Sequence, residues 1–169
     1  MFPQLPCIVT NVTINGLVQW YLSKKYPMHP TPAAKQTPPA QFTYQISGSK
    51  SVGETVSQVG AASEQFKFSV LHSYHFSEIL AGKGFPIQRE VFVFEICRAP
   101  MAAKMLTANP SFAVFMPCRI AVYEENGKTI LSTMNMELVM ESIKHNKELY
   151  TEAAVIYQSI QEMMRFLAA

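Results

Sequence analysis

Two cysteines hold the residues best suited to chemistry in this chain. Cys97 closes an apolar, alternating run from Glu90 to Arg98 and lies just ahead of Pro100. Proline suits the first turn of a helix, where its missing amide would have no partner anyway. A thiol at such a place sits beside unpaired helix amides, and Arg98 adds a neighbouring positive charge, so both favour a thiolate. A thiolate there is a nucleophile, a redox sensor or a soft-metal ligand. Cys118 opens the next strand-forming run. If the two strands are neighbours, the sulfurs approach disulfide or metal-binding distance. The alternative is that both are small buried apolar residues, as free cysteines commonly are.

Around this pair stand weaker candidates. Glu95 is two residues from Cys97 and therefore on the same strand face, a base or third ligand unless it is simply an exposed edge carboxylate. His72 and His75 are three apart, which on a strand sends them to opposite faces and weakens joint ligation. His72, on an apolar face, reads as readily as a hydrogen-bonded core histidine. Met101 leads a group with Met105, Met116, Met134, Met136 and Met140. Thioethers beside thiols favour Cu(I), or with a histidine hold haem, while at helical spacing they are adaptable core filling. A closed zinc site needs four ligands, and the sequence has neither CxxC nor HxxxH. It also lacks a Gly-rich phosphate loop, a GxSxG elbow and a Ser-His-Asp order, the usual marks of nucleotide and hydrolase sites.

The elements that must position these residues follow from hydrophobic period. Phe42, Tyr44 and Ile46 alternate as a half-buried strand that Gly48 ends. Ser51 and Glu54 form a capping box, and Val52, Val56 and Val59 mark the inner face of the helix it opens. Phe68, Val70, His72, Tyr74 and Phe76 share one face of the next strand; a brief segment through Ile79 and Leu80 and a turn at Gly82 and Gly84 follow. In the strand from Glu90 to Arg98, the Phe92, Phe94 and Ile96 side is expected to meet the helices. Pro100 starts a short helix with Ala102, Met105 and Leu106 inward, and Asn109-Pro110 stops it. Asn126-Gly127 joins two strands, Arg119 to Glu125 and Lys128 to Thr133, in a tight primed hairpin. One helical stretch then runs from Met136 to Leu167.

Ahead of this lies an appendage, residues 1–26, and a linker, residues 27–40, with Pro27, Pro30, Pro32, Pro38 and Pro39 favouring extended chain. Residues 41–169 are expected to form one domain. The apolar run from Leu5 to Leu22 is interrupted by Thr10, Asn11, Thr13, Asn15, Gly16 and Gln19, too polar for a membrane span. The 14 basic and 12 acidic side chains are scattered, with a formal net charge of +2, which argues against a nucleic-acid footprint. Hydrophobic residues make up 49% and charged residues only 15%, so an apolar surface covered by another copy is expected. Three scattered cysteines and no basic leader point to reduced thiols in a cytoplasm.

The block Cys97-Arg98-Ala99-Pro100-Met101-Ala102-Ala103-Lys104-Met105-Leu106, then Asn109-Pro110, Met116-Pro117-Cys118-Arg119-Ile120 and Val122-Tyr123-Glu124-Glu125-Asn126-Gly127-Lys128, resembles the signature of the domain of unknown function 302 family over about residues 41–145. The resemblance implies an α+β fold, an antiparallel sheet with helices on one face, similar to the β-α-β4-α arrangement of TATA-binding-protein-like folds. It also implies small bacterial and archaeal proteins that often pair. The residues themselves give the order β-α-β-β-(α)-β-β-α. No activity comes with the family, so no catalytic residue is carried over.

The expectation is therefore a homo-oligomeric binding module that takes a small apolar ligand or a soft metal near Cys97 and Cys118. Glu95, His72 and Met101 are further ligand candidates, and Arg98 and Pro100 position the helix start. A thiol enzyme with Cys97 attacking and Cys118 resolving is the alternative, and a purely structural interaction domain is a third.

Overall fold

Asn126 and Gly127 adopt positive φ, 54° and 74°, as a primed two-residue turn demands. That turn fixes Glu125 opposite Lys128 and sets the register of β4 (Cys118–Glu125) against β5 (Lys128–Met134). β1 (Thr43–Gly48) pairs with the far side of β5, β3 (Val91–Cys97) with the far side of β4, and β2 (Ser69–His75) with β3. The result is a five-stranded antiparallel sheet of order β1-β5-β4-β3-β2. In this computed structural model the described residues are Lys24, an exposed helical residue, and 42–169. The expected N-terminal appendage and proline linker lie outside them.

Among residues 42–169 the connections are α1 (Val52–Gln65), α2 (Phe76–Gly82), α3 (Ala99–Ala108), α4 (Glu137–Ile143) and α5 (Lys147–Ala168), with a 3-10 turn at Pro110–Phe115. The capping box forms as expected: the Glu54 amide donates to Ser51 Oγ at 3.2 Å and the Ser51 amide to Glu54 Oε2 at 2.9 Å. Helix α5 buries Leu149, Ala153, Ile156, Ile160, Met163 and Leu167, an inward stripe at three-and-four spacing. With Val59 and Ala62 of α1 it covers the sheet face made by Phe94, Ile96, Ile120, Val122 and Leu131. A smaller core joins α3, α4 and α5 through Met105, Met140, Ile143 and Ala153.

Three local expectations change. The C-terminal helical stretch is two helices, because Asn146 takes extended backbone and its side chain accepts the Leu149 amide at 3.2 Å, capping α5 afresh. In β2 the pairing jumps from Val70–Ile96 to His72–Glu95, so Leu71 is an extra residue. This bulge sends Val70 and His72 to opposite faces instead of the shared one that strict alternation gives. The brief segment after β2 is a full short helix, α2. Its start is clasped by His75, whose ring nitrogens lie 3.1 Å from both Glu78 and Glu90 and whose ring stacks on Phe92 at 4.1 Å.

Candidate functional site

Strand β3 delivers Cys97 and strand β4 begins at Cys118, which stands directly opposite Ile96. The two cysteines are thus diagonal neighbours at one end of adjacent strands, and both are free. Strict alternation would direct Cys97 away from the helices. Cys97, the last residue of its strand, is half-buried and is among the residues lining a cavity with Cys118, whose side chain shares the face of Ile96. Helix α3 brings Met101 and Met105 to that cavity, the segment before β4 brings Met116, and the residue preceding α4 brings Met136. Two cysteines and four methionines are therefore among the residues lining a space of about 50 Å³ between the end of the sheet and the helices.

Burial decides the state of the thiols. It raises the Cys97 pKa from its ordinary value, and it pushes Cys118 up to about 11, with the nearby Cys97 adding to the rise. Both are neutral thiols at physiological pH. The helix-start environment does not produce the thiolate that the sequence suggests, because the apolar surroundings penalise the charge more than the setting at α3 rewards it.

Arg98 forms the rim. Its side chain donates from Nη2 to the Phe66 carbonyl at 2.8 Å, and its guanidinium lies 4.6 Å from the centre of the Phe68 ring. Its Nε is buried with no acceptor, and the residue lines the sulfur cavity. Pro100 occupies the first turn of α3, as expected. With Arg98, Lys104 and Glu152 it lines a second cleft, of about 360 Å³. Lys104 is held there by Glu148 at 2.7 Å and by Glu152, so its charge is already matched.

Glu95 and His72 fall elsewhere. They face each other across β2 and β3; Glu95 accepts from Arg119 Nε at 3.2 Å, and His72 packs edge-on to Tyr74 at 4.4 Å. Neither lines the cavity. Among the described residues no group of three or more His, Cys, Asp or Glu side chains is placed to hold a metal. The gathering of Met105, Met116 and Met136 with Met101 around the thiols comes from three separate segments, so only their frequency near the cysteines hinted at it. Arg98's unpaired Nε had no signal in the sequence.

These features define a small α+β domain on a five-stranded antiparallel sheet, with a sulfur-lined cavity at one end. The chain belongs to the family of the domain of unknown function DUF302, whose model matches residues 42–167. It is similar to the crystal structure of an uncharacterized conserved protein of that family from Bacillus stearothermophilus, at 25% identity and a TM-score of 0.68, over 77% of this chain and 100% of that one. No curated protein matches the chain. Among the described residues no helix is long and apolar enough to cross a membrane.

Proposed function

We propose that the domain is a binding module that holds a small, soft ligand at Cys97 and Cys118. The observation that supports this reading is one cavity whose lining residues include both cysteines and four methionines. Soft, polarizable donors in a mostly apolar setting recognise soft partners, and neutral, half-buried thiols suit capture better than turnover. The rise of both thiol pKa values runs against a nucleophilic or peroxide-reducing role, which needs a thiolate at neutral pH. Native mass spectrometry of the protein purified without chelators tests the reading. Retained mass or metal that disappears in the Cys97→Ser, Cys118→Ser double variant is the expected result, and identical spectra for the two proteins would refute it.

The module is expected to work as a homo-oligomer in a reducing compartment. Strand β2 is a sheet edge whose first five residues are exposed, including Val70 and Leu71, and it carries no lysine or proline to discourage pairing. Light scattering across a dilution series reports the oligomer; a monomer at every concentration removes that part of the reading.

A further inference from the structure

We infer that His75 is a proton-operated latch: its doubly protonated ring holds Glu78 and Glu90 together, and loss of one ring proton lets go of one of them. The latch involves none of the residues that line the sulfur cavity, so it stands or falls independently of the binding-module reading. Nδ1 of His75 is 3.1 Å from Glu78, in the first turn of α2, and Nε2 is 3.1 Å from Glu90, the residue that leads into β3. A carboxylate only accepts hydrogen bonds, and a neutral imidazole has one N–H and one lone pair. Both contacts are therefore hydrogen bonds only in the imidazolium. In the neutral ring one lone pair faces a carboxylate oxygen.

The rest of the setting favours the cation as well. The ring lies on Phe92 of β3, with centroids 4.1 Å apart and planes 16° from parallel, so an imidazolium rests on the electron-rich face of a phenyl ring. The His75 side chain is 23% exposed, against 77% for Glu78 and 58% for Glu90, which makes it the shielded centre of the cluster. The charged groups that face it are Glu78 from α2 and Glu90 from the entry to β3. From β3 itself it meets Phe92, and Arg89 acts instead on Tyr123 of β4.

The latch spans the return from α2 to β3. Beside it, Ser77 Oγ donates to the Arg89 carbonyl at 3.0 Å and accepts the Val91 amide at 2.9 Å. A serine hydroxyl keeps its proton across the range, about pH 5 to 8, in which an imidazole changes charge. Ser77 is thus the constant tether of this segment and His75 the variable one, tight in mild acid and loose in mild alkali. His75 also ends β2, so the order of that end of the sheet edge follows the same proton.

The test uses the full-length protein. Nitrogen-15 shifts of the ring, followed by NMR from about pH 5 to about pH 8, count the protons on His75. Hydrogen–deuterium exchange over residues 76–90, corrected for the intrinsic pH dependence of exchange, reports the hold on α2. Protection is expected to fall about two- to fivefold as the ring loses a proton, the size of one partly exposed ion pair, with the β4–β5 hairpin unchanged. In His75→Gln that fall should disappear. Glu78→Gln and Glu90→Gln, both at exposed positions, should each make His75 take up its second proton at lower pH than in the native chain, and they keep the test open if His75→Gln folds poorly. Protection that does not follow the ring's protonation, a fall that persists in His75→Gln, or a ring titration that neither carboxylate substitution moves would overturn the inference.

Discussion

Cys118 sits across the strand from Ile96, one position along from Cys97, and the neighbouring Cys97 adds to the burial that lifts the Cys118 thiol to about 11. A group whose pKa is higher in the folded chain than in the unfolded one keeps its proton longer in the folded state. Between the two values the native state therefore binds more protons, and stability falls as pH rises.

Cys118 is expected to make the protein lose stability as pH rises from about 9.0, the ordinary thiol value, to about 11. Below that window its contribution is fully present. Urea midpoints measured across it should fall more steeply for the native protein than for Cys118→Ala. Parallel curves for the two proteins would show that Cys118 ionises as freely folded as unfolded. At neutral pH, alkylation of both thiols should be slow in buffer and fast in denaturant.

The sheet and the C-terminal helix meet in the main core, so the cost of truncation should track burial. Ile120 is 0% exposed on β4 and Val114 is 82% exposed on the 3-10 turn. Ile120→Ala leaves a cavity under α1 and α5 and is expected to cost about 2–5 kcal/mol, while Val114→Ala should stay within about 0.5 kcal/mol. Chemical denaturation of the two variants checks the contrast, and equal losses would mean that the face below the helices is not the core.

What could be read from residues alone was what local physics fixes. Asn126-Gly127, the Ser51–Glu54 box and the alternation of Phe92, Phe94 and Ile96 each act within a few residues, and each appears as expected. The bulge at Leu71 was hidden because alternation on β2 looks regular until its pairing with β3 is known. The break before α5 was hidden because hydrophobic spacing continues through it; Asn146, a strong capping residue ahead of Leu149, was the overlooked signal. The sulfur cavity was half legible. The cysteines lie on consecutive strands, but Met116 and Met136 come to the same cavity through tertiary packing that no spacing encodes.

The reversed backbone of the hairpin gives a third prediction. Gly127 has φ 74°, in the left-handed region, with open space where a Cβ would stand. Gly127→Ala is therefore penalised by conformation alone and not by a clash, at roughly 1 kcal/mol. Thermal melts should show that modest loss. A larger one would require a contact that the open space around Gly127 does not offer.

Asn146 separates α4 from α5, and its carboxamide satisfies one of the orphan amides at the start of the long helix. Asn146→Ala is expected to cost about 1 kcal/mol, Asn146→Asp much less because the carboxylate still accepts and favours the helix start. The order of the two melting temperatures is the readout; if Asp proves as damaging as Ala, the cap is not what holds that junction.

Arg98 joins the rim of the cavity to the fold. Its charged hydrogen bond to the Phe66 carbonyl and its position over Phe68 tie the start of α3 to the segment between α1 and β2. A hydrogen bond from a charged donor contributes about 1.5–3 kcal/mol, and a cation over an aromatic ring about 0.5–2 kcal/mol. Arg98→Lys keeps the charge but gives up the planar fork, whereas Arg98→Gln gives up the charge as well. Both should lower the urea midpoint with an unchanged slope. The fall should be larger for Gln than for Lys, since both the hydrogen bond and the ring contact draw on the charge. An equal fall in the two variants would show that the charge contributes nothing to holding the start of α3.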